Sequence, residues 1–298
     1  MMKPYSRKMT FNDRAFVALD LICPPVVIQH VFDGEGTLDC AQWRRAAQIA
    51  GEANPGTRLV LKGHLGWSRW VDSGIAPRVR EVDGSKWDGM GPENAPAFQE
   101  PLPYREGPTC EIVLIHGPTP RVMFRAHHAV CDGRGTLLWA EDVFRVLRGE
   151  SPVGSTSSVT DVEICKSIRN QYRTPFPAEH IAPTGRAKGK DSGVTWRRRS
   201  VRGKTPNLLA RCARLAAEEA WRYGEGIVRF GVPVDLRHRR PEIRSTANLS
   251  FALYIEVKKN TTPEDIAQDI TRQISHGDEC KLTKGDELIE FVPISLMR

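Results

Sequence analysis

Two adjacent histidines, followed by an aspartate and a glycine, mark the point where one kind of secondary structure has to give way to another. The segment reads Phe124-Arg125-Ala126-His127-His128-Ala129-Val130-Cys131-Asp132-Gly133. Residues 121–126 before it are strand-like, and after it Leu137, Ala140, Phe144 and Leu147 recur at helical spacing until Gly149. The motif therefore occupies a strand-to-helix turn. Neighbouring residues of a strand point to opposite faces, so His127 and His128 cannot hold one metal ion as a pair. One imidazole can instead face a cleft while the other packs, and a neutral imidazole near pH 7 is suited to take a proton from an amine or a hydroxyl. Asp132 falls past the turn, placed to fix backbone or a partner cation, and Gly133 would permit a conformation that a side chain obstructs.

The elements around the motif alternate. Residues 26–32 are β-branched and aromatic and end at Asp33-Gly34-Glu35-Gly36, which predicts a strand and a turn. A helix should follow, with Thr37 as N-cap and Trp43, Ala46, Ala47 and Ala50 on one face, stopped by Asn54-Pro55-Gly56. Residues 58–62, 67–71, 110–115 and 121–126 look extended, and the Pro- and Gly-rich piece 72–109 is expected to be mostly loop. Further on, Thr205 and Pro206 signal a helix start, with Leu209, Ala213, Ala216, Ala220 and Tyr223 inward. Strands are expected over 227–236 and 248–257, and Thr262-Pro263-Glu264-Asp265 opens a last helix with Ile266, Ile270 and Ile274 on its buried edge. Helices covering sheets imply an α/β protein. Its organisation divides into a first lobe over 1–152, a basic connection over 153–204 and a second unit over 205–298.

The motif and its surroundings resemble the signature of condensation domains of non-ribosomal peptide synthetases. Chloramphenicol acetyltransferase, wax ester synthases, polyketide-associated acyltransferases and plant acyl-CoA-dependent acyltransferases share it. Leu114-Ile115-His116-Gly117 before the motif, and Gly135-Thr136-Leu137-Leu138 through Gly149 after it, are similar to the family's strand, turn and helix. Gly231-Val232-Pro233-Val234-Asp235-Leu236-Arg237 and Thr246-Ala247-Asn248-Leu249-Ser250 resemble its second-lobe strands, and Asn54-Pro55-Gly56-Thr57-Arg58-Leu59 is a looser match to a first-lobe turn. The resemblance implies a chloramphenicol-acetyltransferase-like two-lobe sandwich with a complete first lobe and a partial second one, since relatives continue well past the position of Met297. It further implies acyl transfer from a thioester, on coenzyme A or on a phosphopantetheine carrier, to an amine or alcohol.

His128 would be the general base, with His127 beside it at the catalytic position. Asp132, Gly133 and Arg237 would be structural, Arg237 reaching across from the second lobe to pair with Asp132. No metal or tightly bound cofactor is expected, the acyl-CoA or phosphopantetheine-linked donor being a substrate. The alternative is a non-catalytic carrier-protein-binding or scaffolding fragment of the same fold. A truncated piece, a split protein that needs a partner and a degenerate copy would each explain the shortness. An unfinished sheet would expose an edge and apolar surface, which implies self-association or a partner that completes the second lobe.

Charge adds one feature. Residues 1–160 hold 18 Lys and Arg against 18 Asp and Glu, whereas residues 161–244 hold 19 against 9. Such a field attracts phosphates, acidic carrier proteins or nucleic acid, and Trp196-Arg197-Arg198-Arg199 and Arg237-His238-Arg239-Arg240 are its densest runs. Solvated faces are the simpler reading. No nucleic-acid fingerprint accompanies the charge, so no nucleic-acid partner is expected. The seven cysteines stand singly, without metal-site or disulfide-framework spacing, and are read as reduced and mostly buried; Cys131 is a small buried thiol in this reading, not a nucleophile. No apolar run of membrane-spanning length and no signal core is present, so the default location is the cytoplasm.

Overall fold

In the computed structural model, which describes residues 4–168, 172, 173, 181 and 195–297, the most apolar strands take the centre of the main sheet. β6 (Cys110–His116) and β7 (Arg121–His127) are buried along nearly their whole length and are flanked by β2 (Val27–Asp33) and β5 (Arg78–Asp83), in the order β2-β7-β6-β5. Pairing is antiparallel except between β5 and β6. β5 lies inside the stretch expected to be mostly loop. Its signal is masked by charge: Arg78 and Arg80 both donate to the buried carboxylate of Glu111 on β6, so arginines stand where a sheet strand usually carries apolar residues.

Alternation on β7 decides what covers each face. Val122, Phe124 and Ala126 point into a core built with Trp43, Ala46, Ala47 and Ala50 of α2 (Cys40–Ala53) and Trp139, Ala140 and Val143 of α3 (Gly133–Leu147). The α2 cap is Asp39, whose carboxylate accepts from the N–H of Ala41 and Gln42, and not Thr37 two residues earlier. The α3 stripe is centred on Trp139 and Val143; Phe144 and Leu147 flank it, and Leu137 lies off it. On the opposite face Met123 packs with Val113, Ile115 and Trp87.

A small sheet of β1 (Ser6–Lys8), β4 (Arg69–Asp72) and β3 (Leu59–Lys62) adjoins this lobe. Between β1 and β2 runs α1 (Phe11–Ile22), a helix that sequence reading missed although Thr10 and Asp13 form a capping box at its start. Arg14 of α1 is buried and donates to the carbonyls of Leu65 and Val292, so it ties the loop before β4 to the C-terminal segment.

The second unit has one antiparallel pair, β8 (Val228–Asp235) and β9 (Ser250–Val257), backed by α5 (Leu208–Ala220) and α6 (Pro263–His276). α6 follows its sequence signals: Thr262 and Asp265 cap each other reciprocally, and Gly277 ends the helix at φ 71°. α5 does not. It begins after Asn207, which sits in the left-handed region at φ 54°, and it buries Ala210, Ala213, Ala217 and Ala220. Leu209 and Tyr223, expected inward, are exposed together with Leu208 and Leu215.

Within the expected connection, residues 161–168 form α4 (Asp161–Ile168), whose Ile164 and Cys165 enter a third core with Phe11, Leu236, Leu249 and Phe251. That core draws side chains from both lobes. The basic run Arg186-Ala187-Lys188-Gly189-Lys190 lies outside the described residues. All seven cysteines are free, with Cys110, Cys131, Cys165 and Cys280 buried and Cys212 exposed.

Candidate active site

β7 carries its pairing up to His127, and the chain then turns. His127 is completely buried: its Nδ1 accepts from the N–H of Ala129 at 3.2 Å, which leaves the ring proton on Nε2, 3.6 Å from Asp20 Oδ2. Burial works against the Asp20 charge, but His127 and the N–H of Val26 outweigh it and hold the carboxyl below its ordinary pKa. The interior position separates His127 from the role expected for it next to His128. It braces the turn from inside.

His128 is half-buried. Its N–H donates to the Val26 carbonyl at 3.0 Å, and its imidazole lies flat on Phe16 of α1, ring centroids 3.7 Å apart and planes 12° apart. Nδ1 is buried and finds no partner on any other residue. Burial lowers the imidazole pKa; a contact with the backbone of His128 itself and then the Asp132 charge pull the other way, and His127 adds a smaller downward push. The ring is therefore neutral at and above its ordinary titration range.

Asp132 has every acceptor position in use. Oδ1 accepts from the N–H of Gly135 at 2.6 Å, capping α3, and Oδ2 accepts from the N–H of Leu249 at 2.7 Å. Arg237 donates to both oxygens, Nη1 to Oδ2 at 3.0 Å and Nη2 to Oδ1 at 3.2 Å. The guanidinium also reaches Asp235 and the carbonyls of Ser245 and Ala247. Burial disfavours its charge, but Asp132 and Asp235 overcome that and raise its pKa. The histidine turn of the first lobe is thus bolted to the second by a buried bidentate ion pair.

Gly133 does not meet the expectation set for it. Its φ is not left-handed, and a Cβ there would meet nothing nearer than His30 Nε2 at 3.8 Å. The glycine that geometry demands is Gly135, where a Cβ would fall 2.1 Å from the Thr246 carbonyl oxygen; across the seam, a Cβ on Gly56 would fall 2.1 Å from Thr246 Oγ1. Gly135→Ala is expected to cost roughly 1–3 kcal/mol by overpacking. Gly133→Ala should stay within about 0.5 kcal/mol. Urea denaturation of both variants checks this, and equal stabilities would contradict it.

Behind the turn lies a charged interior that sequence reading missed. Arg7 Nη2 donates to the Val130 carbonyl inside the motif at 3.2 Å, while Nη1 donates to Asp13, which also accepts from Trp70 Nε1. Arg7 and Asp13 are fully buried. Nearby Asp161 accepts from Asn12, and burial, with the Asp13 charge second, pushes its pKa up to about 7. The Thr10-x-x-Asp13 capping box was the signal available for this region. Cys131 is wholly buried, which fits a packing role.

Beside the motif, along β2, runs a cavity of about 580 Å³ lined by Gln29, His30, Trp87, Phe98, Gly133 and Trp196, among others; His128 is not in its wall. Arg198 of the first basic run lines this cavity, and both basic runs are engaged within the chain. Arg198 pairs with Asp33, Arg197 with Glu93, Arg239 with Glu279 and Arg240 with Glu242. Among the described residues no helix is long and apolar enough to cross a membrane.

No protein-family model matches the sequence, and neither does any curated protein. Solved structures do match it. The starter condensation domain of rhizomide synthetase superposes with a TM-score of 0.59 at 17% identity, covering 95% of this chain and 75% of its own. The same domain in complex with C8-CoA gives 0.61 at 16% identity, with 97% and 76% covered. The first condensation domain of the calcium-dependent antibiotic synthetase, in complex with a substrate analogue, gives 0.61 at 15% identity, with 94% and 76% covered. At these identities the likeness shows a shared fold, that of the condensation domains, of which this chain spans about three quarters.

Proposed function

Proceeding from the condensation-domain fold, we propose that the chain carries a site for acyl transfer from a thioester to an amine or an alcohol, with His128 as general base. One observation carries the reading. A partly buried imidazole, kept neutral by its surroundings, stands at the end of a central strand in a turn that the second lobe holds through Asp132 and Arg237. His127 braces the turn and takes no proton from substrate.

In the proposed step the acceptor's nitrogen or oxygen attacks the thioester carbonyl carbon while His128 accepts its proton. The carbon–sulfur bond then breaks, and the departing thiolate takes the proton back from the imidazole. Nδ1 is buried, so Nε2 does the exchange. Most of the rate gain comes from holding donor and acceptor in line. The donor arm is coenzyme A or a carrier-linked phosphopantetheine, and one solved relative was captured with C8-CoA.

Incubation of the protein with C8-CoA and a panel of amines and alcohols, with free thiol and acylated product both measured, tests the reading. Acceptor-dependent thiol release supports it. No product from C8-CoA or from acylated carrier protein, combined with tight carrier binding, would favour a scaffolding role instead.

A further inference from the structure

His128 differs from most catalytic imidazoles in what orients it. A base of this kind is commonly aligned by a hydrogen bond from its second nitrogen to a carboxylate or a carbonyl. Here no other residue offers Nδ1 such a partner; the one backbone group that acts on the ring is that of His128 itself. Of the nearby carboxylates, Asp20 faces His127, and Asp132 is consumed by Arg237, Gly135 and Leu249. The backbone of His128 is pinned to Val26, and beyond that backbone the ring is held by packing.

We propose that Phe16 is the positioning residue for His128, its ring clamping one face of the imidazole so that a single nitrogen edge is turned toward the seam between the lobes. This rests on the reading of His128 as base. The stack is close and nearly parallel, 3.7 Å between centroids at 12°. The plate is also firmly mounted: α1 is capped by Thr10 and Asp13, Asp13 is locked to Arg7 and Trp70, and Arg14 grips two carbonyls on other segments. Phe16 itself packs on the first-lobe core. The charged and titratable groups around the ring are Asp132 and His127, with Asp20 behind His127, and neither acid hydrogen-bonds to it. Phe16 therefore supplies the orientation and, by excluding water from one face, much of the desolvation that keeps the ring neutral.

Phe16→Ala, Phe16→Leu and Phe16→Trp separate these effects. The His128 ring is followed by NMR titration and the transfer reaction by steady-state kinetics. With alanine, the His128 titration midpoint is expected to rise toward its ordinary value of about 6.5. kcat should fall roughly 10- to 100-fold, because the ring is no longer held, with KM within about twofold. Leucine, which keeps apolar bulk without a flat face, should hold the fold and the low midpoint but not recover kcat; tryptophan should recover both. An unchanged midpoint and unchanged kcat in folded Phe16→Ala or Phe16→Leu would overturn the positioning role. A wild-type protein without transfer activity would sink the base reading instead, and the NMR comparison would still report whether Phe16 controls the ring.

Discussion

Replacing Arg237 with alanine is expected to destabilise the protein by about 3–5 kcal/mol, the usual result of removing one partner from a buried ion pair. Asp132 would keep only the N–H groups of Gly135 and Leu249, and the carbonyls of Ser245 and Ala247 would lose their donor. Domains of this kind are stable by only about 5–15 kcal/mol, so the variant should unfold at much lower urea or fail to accumulate as soluble protein. Arg237→Lys should recover little, since an ammonium cannot reach both carboxylate oxygens and two carbonyls at once. Circular dichroism through a urea titration reads the effect. A loss under about 1 kcal/mol for the alanine variant would mean that the pair is no more than a surface contact.

His128→Ala should leave the fold nearly intact and remove transfer, with a fall in kcat of roughly 10²- to 10⁴-fold. The side chain is half-buried and joins no other residue by a hydrogen bond at Nδ1, so its absence leaves a shallow gap against Phe16. The pH dependence should follow the same group. Burial lowers its pKa in the folded protein, so the neutral, reactive form persists below the ordinary range, and the rate should decline only on further acidification. The stability linked to this group has the same sign: it is fully present above about pH 6.5 and is lost as pH falls through the lowered pKa. In the alanine variant both acid effects should vanish. Full turnover by His128→Ala would remove His128 from the mechanism.

The sequence was most legible where local rules and burial agree. Thr262-Pro263-Glu264-Asp265 starts α6 with the chemistry its residues suggest, and the Trp43 to Ala50 stripe is the buried face of α2. The strand, turn and helix around the histidines were readable for the same reason. The rest was hidden by charge and by distance along the chain. Asn12, Asp13 and Arg14 look like surface residues, yet Asp13 and Arg14 are interior, balanced by partners that no local pattern reveals. β5 reads as loop because its arginines serve a glutamate some thirty residues away. At the site, pairing of Asp132 with Arg237 was suggested only by family resemblance, since the two are joined by tertiary folding alone. The steric need for Gly135 depends on Thr246 more than a hundred residues later, whereas Gly133 meets only the distant edge of His30.

Thr246 is wedged between Gly56 and Gly135, where its carbonyl and hydroxyl leave no room for even a methyl group. At Gly135 the contact is main chain against main chain and cannot be eased by turning a rotamer, so the two lobes are packed rigidly there. On the reading of His128 as base, donor and acceptor would then reach it past the loops at the rim.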